Sequence, residues 1–320
     1  MVLKRRVEIH RTLEMANLRH FLSVTDLAPS EVHEVITRGR ALKAGERSAA
    51  LVGKSVAILF EKPSLRTKLS FEVGINRLGG HPIYFSPEEV GLGRREPVQD
   101  VARVMSRMVD VVIIRTFDHK LLQEFASAAT IPVINALTDG EHPCQTLADL
   151  QTIEEAKGSL EGVRVAYIGD GNNVAVSLAL GMGATGGHLT IASPDGYTLP
   201  ENAANKANIL SETSGGSLKL VTDPIEAVSD ADIVYTDVWT SMGQEDETRI
   251  RLEAFKGYQV NPGLLDKAPD GVNFMHDLPA HPGEEISEGM LTDPRSIAFD
   301  QAENRLHAQA GLLHYLFAGA

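Results

Sequence analysis

The strongest constraint on this chain is the regular alternation of short apolar runs with stretches whose apolar residues recur at helical spacing. Apolar runs at 55–60, 82–85, 111–114 and 132–135 are separated by helical patterns at 65–79, 97–108, 120–128 and 145–157. Strands joined through helices cannot pair as hairpins, so they lie parallel, with helices covering both faces of the sheet. A second series follows: runs at 164–168, 188–192, 218–221, 233–235, 273–276 and 296–299, with helices at 173–184, 201–213 and about 224–229. A scaffold helix opened by Ser23–Ser30, with apolar Val32, Val35, Ile36 and Leu42, precedes both. The expected fold is α/β, two doubly wound domains, each with a mainly parallel sheet. A chain of 320 residues exceeds the usual single core. The Lys157-Gly158-Ser159 break places the junction, giving residues 1–150, residues 151–299 and a last helix over 300–320.

Charge and cysteine usage narrow the function classes. A net charge of −13 argues against a nucleic-acid or membrane-surface binder, although a few focused arginines can still hold an anionic substrate. The single cysteine, Cys144, excludes a disulfide framework and a Cys-rich zinc site, and fits a reducing, cytoplasmic setting. No apolar run of membrane-spanning length occurs. Residues 1–14 read as an extension, with Met15 as a second start; their basic residues also suit an organelle signal, which Glu8 and Glu14 oppose.

In doubly wound sheets ligands gather at the carboxyl ends of strands, so the residues after each apolar run carry the chemistry. After 55–60 the chain turns at Pro63 and a helix begins with Ser64 as N-cap and Arg66 and Thr67 in its first turn. Free amides and the helix dipole make that spot attractive to an anion, although a plain capping serine beside an exposed arginine fits the stretch equally well. Arg115 ends the next strand. His142, Pro143 and Gln145 open a further helix, where His142 and Gln145 are placed to donate hydrogen bonds to one oxygen. Alone, His142 reads as a capping or packing histidine, and Cys144 as an apolar filler rather than a nucleophile.

The second series opens on Gly169-Asp170-Gly171-Asn172-Asn173. It departs from a dinucleotide motif at Val174, so no nicotinamide cofactor is expected, and the paired amides suit a zwitterionic head group. Asp237 at a strand end can hold an amine or cap a helix. His276, Asp277, His281, Glu284 and Glu285 suggest a metal site, but Pro279 and Pro282 keep them off one helical face, and no metal is expected. The last helix carries Asn304, Arg305 and Gln309 among leucines.

Taken in order, Ser64-Leu65-Arg66-Thr67, Arg115, His142-Pro143-Cys144-Gln145, Asp170-Gly171-Asn172-Asn173, Asp237-Val238-Trp239, Ser241-Met242-Gly243, His276-Asp277-Leu278-Pro279 and Glu303-Asn304-Arg305-Leu306-His307 resemble the motif set of the aspartate/ornithine carbamoyltransferase family. The resemblance runs from about Asn17 to the C-terminus, and the Ser-Met-Gly loop is similar to that of the ornithine branch. It implies a carbamoyl-phosphate-binding domain, an amino-acid-binding domain and a final helix packed back on the first. It further implies a transferase of arginine biosynthesis that carbamoylates L-ornithine, works without a cofactor and assembles as homotrimers or their multiples. By the same resemblance Ser64, Leu65, Arg66, Thr67, Arg115, His142, Gln145 and Arg305 bind carbamoyl phosphate. Asn173, Asp237, Ser241, Met242, Asp277 and Leu278 bind ornithine, and Arg66, Arg115, His142 and Asp277 carry the catalysis.

Three departures from the family pattern bear on the substrate. Leu65 replaces a hydroxyl residue, and Gly91 replaces a glutamine in a loop that reaches a neighbouring subunit in the family. Asp277 stands where the family has cysteine, so two carboxylates, Asp237 and Asp277, are expected to favour a protonated or different amine. A carbamoyltransferase for putrescine or lysine, a non-catalytic ligand-binding paralogue and a metal hydrolase using the 276–285 cluster are the alternatives.

Overall fold

The computed structural model describes residues 18–318, so the expectations for residues 1–14 and Met15 lie outside the described residues. Two all-parallel sheets form. The first contains β1 (Ser55–Phe60), β2 (His81–Phe85), β3 (Val111–Arg115) and β4 (Val133–Leu137), in the order β2-β1-β3-β4. The second contains β5 (Arg164–Ile168), β6 (His188–Ala192), β7 (Ser217–Val221), β8 (Ile233–Thr236) and β9 (Asn273–His276), in the order β7-β6-β5-β8-β9. Strands β3, β4 and β8 are buried at every residue; β3 and β8 lie inside their sheets, and the edge strand β4 is covered where Phe21 bridges to Ile134. Each fully buried Val, Ile or Leu contributes roughly 1.5–3 kcal/mol.

The longer helices are α1 (Pro29–Lys43), α2 (Leu65–Arg77), α3 (Val98–Met105), α4 (His119–Ala128), α5 (Pro143–Lys157), α6 (Asn173–Thr185), α7 (Glu201–Ser214) and α8 (Ala298–Phe317). Short helices at Pro87–Val90, Thr248–Ala254 and Pro262–Leu265 carry too little periodicity to be read from sequence. The expected strand at 296–299 is corrected: Ser296 makes one isolated bridge to Phe274 and α8 already begins at Ala298. The apolar residues there form the first turn of a helix, in which Ala298 is buried and Phe299 faces solvent. The helix expected over 97–108 ends at Met105.

Helix α8 returns to the first half and packs on α1, α2 and α5. Close approach to α1 depends on Gly311, where an added Cβ would lie 2.5 Å from the Val35 carbonyl oxygen. Among the described residues, no helix is long and apolar enough to cross a membrane.

Both sheets reverse direction of winding at their first strand, between β1 and β3 and between β5 and β8. These two switch points open the crevices where an α/β sheet receives its ligands.

Candidate active site

At the β1/β3 switch point the chain leaves β1 and enters α2, with Ser64 as N-cap. Ser64 Oγ accepts from the Thr67 amide at 3.3 Å and donates to Thr67 Oγ1 at 3.0 Å. The first-turn amides of Leu65 and Arg66 have no intrahelical acceptor and remain available to an anion. The Leu65 side chain is 77% exposed, so only its backbone can serve there. Arg115 ends β3, buried, and Arg305 reaches in from α8, where its Nη2 donates to Thr67 Oγ1 at 2.5 Å.

Arg66, Arg115 and Arg305 each bury an Nε without a partner, and none is ion-paired with a carboxylate among the described residues. Burial first, then the charges of Arg305 and Arg66 against the pull of Asp277, pushes the Arg115 guanidinium below its ordinary range. Arg305 is lowered chiefly by burial. Arginine has enough margin to stay charged at neutral pH. In a chain of net charge −13, three clustered guanidiniums make a local site that an anion would stabilise.

His142 is the N-cap of α5, and its backbone N–H donates to Ser177 Oγ at 2.9 Å. Burial, followed by Arg305, Arg115 and Lys62, holds its imidazole well below the usual range, so it is a neutral ring with one N–H to give. Gln145 is expected to donate beside it, and one of its two N–H groups is already committed. Gln145 Nε2 is taken by Asp149 Oδ1 at 2.9 Å, and Gln145 Oε1 is buried without a partner, so the side chain offers the site an acceptor.

At the β5/β8 switch point Asp237 follows β8. Its Oδ2 accepts from Asn172 Nδ2 at 2.7 Å and its Oδ1 from the Val238 amide at 2.7 Å; it caps no helix. Asn172 does the capping, with Oδ1 accepting from the amides of Val174 and Ala175. Asn173 donates across to the Thr138 carbonyl at 2.6 Å, joining α6 to the loop after β4. Gly171, which a dinucleotide motif would keep open, packs on the protein's own backbone: an added Cβ would lie 2.4 Å from the Thr198 carbonyl carbon.

Asp277 follows β9 and faces Asp237, with their ligand oxygens within 4.8 Å. Burial, then the Asp237 charge, raises the Asp277 carboxyl well above the usual range. Two carboxyls so close in a buried place do not both ionise cheaply, so the pair favours either a shared proton or a cation between them. Leu278 has φ +62, and its amide donates to His276 Nδ1 at 2.9 Å. His276 Nε2 meets Glu285 Oε1 at 3.0 Å. With both ring nitrogens used, His276 latches the turn that carries Asp277 and Leu278, and has no lone pair left for a metal.

Ser241 and Met242 lie on a loop in which the Ser241 amide donates to Gln244 Oε1 at 3.1 Å and Met242 is 47% exposed. Gly243, at φ +97, sits so close to Phe117 that a Cβ would be 3.5 Å from its ring. Lys62 lies 4.2 Å over the same ring and pairs with Asp139, so this loop meets the ends of β1 and β3. Arg66, Arg115, His142 and Arg305 thus lie near enough to act on one another's charge, Thr67 is tied to Arg305, and Asp277 acts on both Arg115 and Arg305; Gln145 follows His142 on α5, and the loop of Ser241 and Met242 comes in through Gly243 at Phe117. Sequence reasoning missed Lys62, Asp149 and Gln301. Asp149 carried a usable signal, a carboxylate four residues after Gln145 on an otherwise buried helix.

Residues 19–155 match the family model described as aspartate/ornithine carbamoyltransferase, carbamoyl-P binding domain, and residues 161–316 match its Asp/Orn binding domain. The ornithine carbamoyltransferase of Acidothermus cellulolyticus is 50% identical over 305 residues, covering 95% of this chain and 98% of that protein. An anabolic ornithine carbamoyltransferase of Pseudomonas aeruginosa is 51% identical over 308 residues, covering 95% and 99%. The solved ornithine carbamoyltransferase of Pyrococcus furiosus superposes with a TM-score of 0.91 at 44% identity, covering 94% of this chain and 98% of that one.

Proposed function

The chain belongs to the aspartate/ornithine carbamoyltransferase family, and we infer that it transfers the carbamoyl group of carbamoyl phosphate to the side-chain amine of L-ornithine, giving L-citrulline and phosphate. The observation that carries this reading is the guanidinium cluster of Arg66, Arg115 and Arg305 at a helix N-terminus, without an ion pair among the described residues, beside the buried carboxyl pair Asp237 and Asp277, of which Asp277 acts on Arg115 and Arg305. An anionic donor suits the first and a cationic amine the second.

In this reading the described residues up to 150 form the carbamoyl-phosphate half, 151–299 the ornithine half, and α8 beyond them is the helix that brings Arg305 back. The phosphate lies on the α2 amides with Ser64, Arg66 and Thr67. The carbamoyl oxygen, where charge grows in the transition state, takes hydrogen bonds from Thr67, Arg115, His142 and Arg305. Gln145 Oε1 accepts from the carbamoyl NH2. Ornithine is held by Asn173, Asp237, Ser241, Met242, Asp277 and the Leu278 backbone. Its ammonium must lose a proton before it can attack. Asp277, its carboxyl raised by burial, is a stronger base once ionised than an exposed aspartate, and takes that proton on its way to solvent. The neutral nitrogen then bonds to the carbamoyl carbon, the carbon–oxygen bond to phosphate breaks, and the nitrogen's second proton leaves with the phosphate. The donor is already an activated anhydride, so the step as written calls on no metal or cofactor.

The biosynthetic direction is supported by the 51% identity to an enzyme named anabolic. A cytoplasmic setting suits a chain whose single cysteine can form no internal disulfide. A homotrimer or a multiple of it is what the family implies, and light scattering tests it. The departure at Asp277 favours one second reading, a different amine such as putrescine or lysine. Incubation with carbamoyl phosphate and ornithine tests the main reading: phosphate and citrulline appear one to one, whereas phosphate release without a ureido product refutes it.

A further inference from the structure

We propose that Asp149 is a positioning residue that fixes the Gln145 side chain as the acceptor for the carbamoyl amide and ties it, through Gln301, to the strand end carrying Asp277. Asp149 is fully buried on α5, one turn after Gln145. Three side chains from three elements converge on it. Gln145 Nε2 donates to Oδ1 at 2.9 Å, Gln301 Nε2 from α8 donates to the same oxygen at 2.7 Å, and the Tyr235 hydroxyl from β8 reaches Oδ2 at 3.1 Å. An oxygen shared by two amides can only accept, so both glutamines must turn their NH2 groups inward. Gln301 Oε1 is then aimed at the His276 amide, which donates to it at 2.8 Å, one residue before Asp277. Gln145 Oε1 is left buried and without a partner.

That orientation has a chemical consequence. Arg66, Arg115 and Arg305 can only donate. The carbamoyl group presents an oxygen that wants donors and an NH2 that wants an acceptor. Gln145 Oε1 supplies that acceptor, and a flipped amide would set NH2 against NH2. Asp149 therefore governs discrimination between a carbamoyl group and an isosteric acetyl group, through a residue it touches rather than by touching substrate.

The inference rests on the reading of the guanidinium cluster as a carbamoyl-phosphate site, and calorimetry separates the two. The probes are phosphonoacetamide, its methyl ketone isostere acetonylphosphonate, and inorganic phosphate. In Asp149→Leu the preference for the amide over the ketone is expected to fall at least ~10-fold, with phosphate affinity unchanged within about twofold. Asp149→Asn, whose amide oxygen can still take both glutamine NH2 groups, retains the preference within about threefold. In a Gln145→Ala background, Asp149→Leu changes the preference by less than about twofold, because the residue it acts through is gone. Should leucine prevent folding by circular dichroism, Asp149→Ser, too short to reach Gln145, takes its place in the cycle. A preference retained in the folded variant, or additive effects in the cycle, overturns the role of Asp149. A parent that binds neither phosphonate overturns the reading of the site beneath it.

Discussion

Arg305 donates a 2.5 Å hydrogen bond to Thr67, so residues 238 positions apart close the same anion site. The last helix is thereby part of the donor site as well as of the core. Its docking and the binding of phosphate should fail together.

Gly311→Ala tests that link. The new methyl would be driven into the α1 backbone at Val35, and such overpacking costs typically about 1–3 kcal/mol. A lower Tm accompanied by weaker phosphate binding is the expected result. A lower Tm with phosphate affinity intact would show that α8 shifts without moving Arg305.

Arg66→Lys should weaken phosphate binding at least roughly tenfold, about 1.4 kcal/mol, because a single ammonium cannot reproduce a two-pronged guanidinium contact at a helix N-terminus. Calorimetry with inorganic phosphate reads this directly, and an unchanged affinity removes Arg66 from the site.

Asp277 must be ionised to take a proton, and its carboxyl is raised well above the ordinary range. Activity should climb with pH through that raised value. Asp277→Asn should abolish this limb with a loss of about 10²-fold or more in turnover. Asp277→Cys should keep turnover while moving the limb. A parent and cysteine variant with superimposable pH profiles would leave Asp277 a structural role only.

Asp149 offers a stability test with a defined sign. Its carboxyl is pushed up to about 7, by burial foremost, against the Gln145, Gln301 and Tyr235 hydrogen bonds and Arg305. Between the unfolded value near 4 and about 7 the folded state holds the extra proton, so this group's contribution to stability falls as pH rises. The Tm of Asp149→Asn relative to the parent should therefore increase across that window and level off above it. A flat difference would contradict the burial of a titrating group there.

Much of the site was legible because strand ends are legible: Arg66, Arg115, Asp237 and Asp277 each follow an apolar run, and topology brings such residues to the switch points. The first half and its capping serine could be read for the same reason. What stayed hidden depends on partners supplied by other elements. That Gln145 also presents an unpartnered Oε1 shows only once its amide is seen on Asp149. That Asp277 is buried against Asp237, and so raised, depends on where β8 and β9 end relative to each other. The run at 296–299 looked like a strand because three apolar residues in a row do not reveal which face they will turn inward.

The central claim is the identity of the amine, and kcat/KM for carbamoylation of ornithine, putrescine and lysine in the same assay tests it most directly. The account predicts that ornithine exceeds putrescine, which has no α-carboxylate to be bound, by at least about 10²-fold, and lysine, whose reacting nitrogen lies one methylene further out, by at least about tenfold. Putrescine or lysine equalling or surpassing ornithine would contradict it.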